Sequence, residues 1–215
     1  MIDVKGVVHS YDTSISFLFP DFKCDASQEW LLLGDSGCGK TTFMHIMAGL
    51  IRPKKGTVII HGQDLFEMSE TERDAFRGAH IGIVFQQAHL IDALTVHENL
   101  IVAQYMAGRT LDSSAVDRML ERLEVHSLAT KRPSQLSLGE KQRVAIARSL
   151  INNPKVILAD EPTSSLDDAN CERVYGLLKE QSIQSNASLI IITHDGRLKK
   201  QVANQLSLND VKQTL

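Results

Sequence analysis

The chain has 215 residues, 43% of them hydrophobic, which encloses one well-packed globular unit and excludes a large multidomain protein. Its 23 basic residues are interspersed among 26 acidic ones for a formal charge of −3, so it lacks the one-signed field of a dedicated nucleic-acid binder and must grip any anion locally. The three cysteines, Cys24, Cys38 and Cys171, are odd in number and lack CxxC spacing, which argues against a disulfide framework and a zinc site and fits a reduced cytosolic setting. The longest apolar runs are too short to cross a bilayer, and the first residues are charged where a signal peptide needs an apolar core, so the expectation is a soluble protein.

In chain order, short apolar runs alternate with helical patterns. Residues 29–33 read as a strand that enters a glycine-rich loop and then a helical pattern over 43–50. Further strands follow at 57–60 and 81–85, separated by the capping box Ser69-Glu70-Thr71-Glu72. From Gln86 to about Leu150 the strands give way to helical stretches at 96–107, 113–124 and 139–152. The first opens with Thr95-Val96-His97-Glu98, in which the threonine oxygen and the glutamate satisfy free N–H groups at the helix start. Strands resume at 156–159 and 189–193, and the stretch after Leu198 reads as short and polar. This predicts a single domain over 1–215: an α/β core of residues 1–86 and 151–215 with an inserted helical subdomain at 87–150.

The sharpest signal is Gly34-Asp35-Ser36-Gly37-Cys38-Gly39-Lys40-Thr41-Thr42, set between the strand at 29–33 and the helix that follows. Gly34, Gly37 and Gly39 let the backbone curl into a cradle of inward N–H groups, and the helix adds its positive end at the same point. Lys40 would reach the terminal phosphates and Thr41 would bind Mg²⁺ through its hydroxyl. A flexible glycine turn with a solvated lysine would not require this strand-to-helix context. The second signal is Val156-Ile157-Leu158-Ala159-Asp160-Glu161-Pro162, a buried strand ending in two adjacent carboxylates. Asp160 can hold the Mg²⁺ hydration shell while Glu161, pointing the other way, orients or deprotonates the attacking water. A polar strand end entering a turn is the bland alternative, and the phosphate loop weighs against it.

Leu136-Ser137-Leu138-Gly139-Glu140-Lys141-Gln142-Arg143 resembles the signature motif of ABC ATPases, and it lies upstream of Asp160-Glu161 as in that family. The residues themselves read as a capped helix start, because Ser137 followed by Glu140 is another capping box, and such an end can bind an anion. The resemblance covers essentially the whole chain and implies a P-loop NTPase core of ABC type that binds ATP with Mg²⁺ and hydrolyses it. In that family Ser137, Gly139 and Glu140 would sit in the segment that caps the γ-phosphate held by the opposite subunit, which implies a head-to-tail dimer, here a homodimer or a pair with a close relative. The motif departs from the usual form at Leu138, where glycine is more typical, and glutamine is the other common choice at Glu140.

Other positions follow from the same resemblance. Gln86 resembles the Q-loop glutamine that senses Mg²⁺, and His194 resembles the switch histidine that contacts the γ-phosphate. Tyr11 resembles the aromatic that stacks on adenine, and Ser164-Ser165-Leu166-Asp167 resembles the D-loop that crosses the dimer interface. A surface glutamine, a structural histidine and a core or surface tyrosine are the bland rivals for the first three. The resemblance is nearest to the lipoprotein-releasing and macrolide-export group, implying a cytoplasmic ATPase held on the inner membrane face by separate integral membrane permease subunits. A groove for those partners is expected at 86–94, with no nucleic acid. The rival, a soluble ABC ATPase acting on nucleic acid or the ribosome, would normally carry tandem cassettes or a coiled-coil insertion. A P-loop kinase or switch would leave 136–143 unexplained.

Overall fold

The computed structural model describes residues 1–11, 16–35, 37–163, 166–209 and 211–214. The chain opens with β1 (Ile2–His9), β2 (Ser16–Leu18), β3 (Phe22–Cys24) and β4 (Glu29–Leu33), then α1 (Lys40–Met47), β5 (Lys55–Ile60), β6 (Gln63–Asp64), α2 (Glu70–His80) and β7 (Ile81–Val84). The helices α3 (Val96–Met106), α4 (Ser113–Arg122) and α5 (Leu138–Leu150) follow, with short 3-10 turns before α5. The chain closes with β8 (Val156–Asp160), α6 (Asp168–Ser185), β9 (Ser188–Thr193), α7 (Gly196–Lys199), β10 (Asn204–Ser207) and β11 (Lys212–Thr214).

Two sheets form. The five-stranded sheet, in the order β10-β4-β9-β8-β7, is parallel throughout. Its central strands β8 and β9 are buried at every position, which explains their nearly unbroken apolar sequence: helices or a second sheet cover both faces. Alternation then sorts the side chains. Leu31, Ile157, Ala159, Leu189 and Ile191 join an apolar cluster with Val96 and Leu100 of α3, Leu120 of α4, Val144 of α5 and Leu178 of α6. Leu32, Leu158, Ile190 and Ile192 face the other way, onto Phe43 and Met47 of α1 and onto Ile2, Val4, Val58 and Ile60 of the second sheet. That second sheet is antiparallel, ordered β11-β2-β1-β5-β6 with β3 also on β1.

The expected strands and helices are present with ends moved by one to three residues, a scale at which assignments normally differ. The strand expected at 57–60 begins at Lys55 because β5 pairs with β1 back to Val8. Of the antiparallel sheet only β5 has a counterpart in the sequence reading, and α6 has none. The segment after Leu198, read as short and polar, supplies β10 and β11 to the two sheets. All three anticipated capping boxes form, at Ser69, Thr95 and Ser137.

The turn between β7 and α3 carries few apolar anchors and is held from below by Asn99. This side chain is fully buried; its Oδ1 accepts from the Ile91 N–H at 2.8 Å and its Nδ2 donates to the Thr95 carbonyl at 2.9 Å and the Ile91 carbonyl at 3.2 Å. Asn99→Ala strands those buried backbone groups and is expected to cost about 1–3 kcal/mol. An unchanged Tm in thermal unfolding would show that the turn does not depend on this residue.

Candidate nucleotide site

Four neighbouring strands of the parallel sheet, β4, β9, β8 and β7, end on one side, and their C-terminal ends deliver the phosphate loop, His194, the Asp160-Glu161 pair and Gln86 to a single pocket of about 600 Å³. This is where open α/β sheets bind ligands. The loop closes tightly: Gly37 and Gly39 have φ of 84° and 93°, in the left-handed region that a side chain resists. A Cβ on Gly34 would lie 2.5 Å from Cys38 Sγ and 3.1 Å from Asn209 Oδ1, so a larger residue there would force the Cys38 side chain to move. Thr42 is buried behind the loop and Asp35 is exposed at its rim, where its N–H donates to Asn209 Oδ1 at 2.7 Å. Gly39 gives α1 no side-chain cap, which leaves N–H groups at its start for an anion.

Lys40 is 9% exposed and donates to the Gly34 and Asp35 carbonyls at 2.8 and 2.6 Å, a position from which it can turn toward a bound phosphate. Thr41 Oγ1 donates to Asp160 Oδ2 at 2.9 Å, while the other oxygen of Asp160 is buried without a hydrogen-bond partner among the described residues. Burial pushes the Asp160 carboxyl above its ordinary range; the neighbouring Glu161 charge adds to the rise and the Thr41 hydrogen bond opposes it. An orphaned carboxylate oxygen beside a hydroxyl is a hard-oxygen donor set suited to Mg²⁺ and its hydration shell.

Glu161 is directed away from Asp160. Its φ of 47° is sparsely populated for a non-glycine residue, and its N–H is held by the Ile192 carbonyl at 2.8 Å. The carboxylate accepts from Thr193 Oγ1 at 2.9 Å and the His194 N–H at 3.2 Å, and its Oε1 lies 2.6 Å from His194 Nδ1. Gln86 lines the pocket opposite the loop. Behind it Arg148 donates to the Ala88 and His89 carbonyls at 3.1 and 2.7 Å, fixing the chain that leaves Gln86. Burial lowers the Arg148 pKa.

Two groups lie differently from a simple pocket lining. Tyr11 is 67% exposed; its hydroxyl is 2.9 Å from Thr42 Oγ1 and its ring stands edge-on to His9, while Phe17 of β2 is the aromatic that lines the pocket beside Gly39. Ser137, Gly139 and Glu140 stand at the start of α5, outside that pocket. Ser137 donates through both its N–H and its hydroxyl to Glu140 Oε2 at 2.7 Å, and the Ser137 hydroxyl holds the Glu140 carboxyl below the usual range. A Cβ on Gly139 would meet nothing within 4 Å, and Leu138 is 66% exposed, so this helix end faces outward. Ser36, Ser164 and Ser165 lie outside the described residues.

Sequence reasoning missed Phe17 and Asn209, and within the motif at 136–143 it gave no role to Gln142, whose amide donates to the Pro162 carbonyl and ties α5 to the segment after Glu161. Phe17 carried an available signal, as an aromatic in a short apolar run before the loop. Asn209 carried none, because its contact spans almost the whole chain.

A glycine cradle at a helix start, a lysine within it and a paired threonine and aspartate define a P-loop nucleoside triphosphatase. Among such proteins the match is specific: the profile of the ABC transporter family covers residues 20–164. The lipoprotein-releasing system ATP-binding protein LolD of Psychrobacter arcticus is 40% identical over 194 residues, 88% of this chain and 85% of that protein. LolD of Shewanella frigidimarina is 38% identical over 185 residues, 85% of this chain and 77% of that protein. In structure, the dimeric post-hydrolysis state of the ATP-binding cassette MJ0796 bound to ADP and Pi is similar, with a TM-score of 0.90 and 30% identity over 100% of this chain and 98% of that one. The chain belongs to the ABC transporter family and is its ATP-binding, ATP-hydrolysing subunit.

The Asp160 environment has a measurable consequence. Because its folded pKa is raised, the ionised form destabilises the nucleotide-free fold above that pKa, and the penalty is relieved as pH falls through it. Asp160→Asn is therefore expected to raise Tm near neutral pH more than at acid pH, while lowering MgATP turnover by about a hundredfold or more. A lowered Tm, or a gain independent of pH, would contradict this account.

Proposed function

We propose that two copies of this chain close head to tail on two ATP molecules and, from the cytoplasmic face, drive separate membrane subunits of the lipoprotein-releasing kind. The observation that carries this reading is the split of the phosphate-binding equipment. Lys40, Thr41, Asp160, Glu161 and His194 share one pocket, whereas the capped end of α5 with Ser137 and Gly139 stands exposed outside it. Each half leaves an anion site open that a second copy can complete. The LolD relatives, named for a lipoprotein-releasing system, support the choice of partner. No helix among the described residues is long and apolar enough to cross a membrane, so separate subunits would span it.

In this reading the residues divide the work. The N–H groups of 37–42 and Lys40 would bind the phosphates, Phe17 and Tyr11 would flank the base side, and Thr41, Asp160 and Gln86 would hold Mg²⁺. Mg²⁺ held there would supply neutralisation of the phosphate charge. Glu161 orients the attacking water and accepts its proton, and His194 stabilises charge at the γ-phosphate. Residues 1–86 and 151–215 would act as the nucleotide-binding body and 87–150 as the arm that swings with the partner, with the surface at 86–94 meeting the membrane subunits.

The direct test is light scattering of Glu161→Gln with and without MgATP, because removing the base traps the closed state. Dimerisation that depends on nucleotide is expected. A strict monomer that still binds ATP would remove the homodimer from this reading, and RNase-sensitive association with ribosomes in place of a co-purifying membrane protein would remove the transport role.

A further inference from the structure

We infer that Arg197 is a positioning residue that mechanically joins the switch-histidine loop to the segment leading into α6, and so couples one ATP site to the other. The inference rests on the paired-cassette reading. Arg197 lies three residues beyond His194, and its guanidinium uses all five of its N–H donors. Nε donates to Asp195 Oδ1 at 2.9 Å; Nη2 donates to Asp195 Oδ2 at 2.7 Å and to the Thr163 carbonyl at 3.2 Å; Nη1 donates to the Leu166 carbonyl at 3.1 Å and to Asp168 Oδ1 at 2.8 Å. Asp195, held well below the usual carboxylate range chiefly by Arg197, also accepts from Thr163 Oγ1 at 3.0 Å.

The same network reaches the catalytic carboxylate. The Asp195 N–H donates to Thr193 Oγ1 at 3.0 Å, and that hydroxyl donates to Glu161 Oε2 at 2.9 Å. A continuous set of hydrogen bonds therefore runs from Glu161 through Thr193, Asp195 and Arg197 to Thr163, Leu166 and Asp168. Helix α6 does not need Arg197 to begin, because Asp167 caps it by accepting from the Asn170 N–H at 2.9 Å. What Arg197 fixes is the position of Thr163, Leu166 and Asp168, which in the paired reading lie toward the second cassette. When nucleotide draws Glu161 and His194 from their mutual contact, the shift of 193–195 passes through the rigid guanidinium fork to Thr163, Leu166 and Asp168. A lysine, with a single ammonium, cannot span the same acceptors.

The test is steady-state ATP hydrolysis by the full chain, read as kcat, KM and Hill coefficient, beside MgATP-dependent dimerisation in the Glu161→Gln background. Arg197→Ala and Arg197→Lys are both expected to lower kcat by about tenfold to a hundredfold and bring a Hill coefficient above 1 down to 1, with KM changed by less than about twofold. Asp168→Asn, at an exposed acceptor where folding is not at stake, should shift kcat and Hill coefficient the same way by a smaller factor and keeps the test available if Arg197→Ala does not fold. Wild-type kcat and Hill coefficient in the folded variants would overturn the inference, as would a change confined to KM or a full rescue by lysine. If Glu161→Gln dimerises with MgATP and the variants behave as wild type, this inference alone fails. If Glu161→Gln never dimerises, the paired reading fails and the coupling falls with it.

Discussion

The register of β8 against β9 is the constraint on which the site depends. Asp160 pairs with Ile192, so Glu161, one residue on, meets the end of β9 where Thr193 and His194 emerge, and its N–H closes on the Ile192 carbonyl. A slip of one residue would turn Asp160 away from Thr41 and Glu161 away from His194 together, because successive side chains alternate between faces. The apolar sequence of both strands prevents the slip: Leu158, Ile190 and Ile192 face α1 and the antiparallel sheet, while Ile157, Leu189 and Ile191 face the helices. Chemistry at the strand ends is thus aligned by packing deep in the sheet.

The polar groups of this site satisfy one another. Lys40 is spent on two loop carbonyls, Thr41 on Asp160, Tyr11 on Thr42 and His194 on Glu161. Among the described residues of the site the arrangement avoids the cost of buried, unpaired polar groups except at the second oxygen of Asp160. Binding must exchange these contacts for stronger ones to phosphate and Mg²⁺, and only that difference in affinity can shift the conformation. In the proposed mechanism Glu161 and His194 would give up their close contact in the exchange, which would couple the arrival of the γ-phosphate to release of the base.

Much of this was legible in the sequence wherever a local rule sufficed. The phosphate loop needs three glycines at fixed spacing, the capping boxes need a hydroxyl and a carboxylate three residues apart, and β8 and β9 announce themselves as unbroken apolar runs. Of the antiparallel sheet only β5 was legible: β2, β3, β6 and β11 are two or three residues long, too short for a period-two pattern, and the alternation of β1 is broken at Lys5-Gly6, where its pairing with β5 shifts register. Helix α6 was hidden differently: its buried stripe of Cys171, Val174, Tyr175 and Leu178 has helical spacing but is diluted by polar neighbours. The Arg197 network joins residues far apart in sequence through backbone carbonyls, which no side-chain pattern encodes.

The start of α5 shows how one residue serves the fold and constrains the chemistry. Glu140 accepts from both the N–H and the hydroxyl of Ser137, which fixes the helix end and complements its positive dipole. The same charge lowers the positive potential that a phosphate approaching that end would feel. The Ser137 hydroxyl, turned inward to Glu140, must also rotate before it can donate outward. A neutral amide at that position could keep the N–H contact without the opposing charge. In the proposed pairing the carboxylate would therefore trade attraction for the partner's nucleotide against a firmer helix end in the separated subunit.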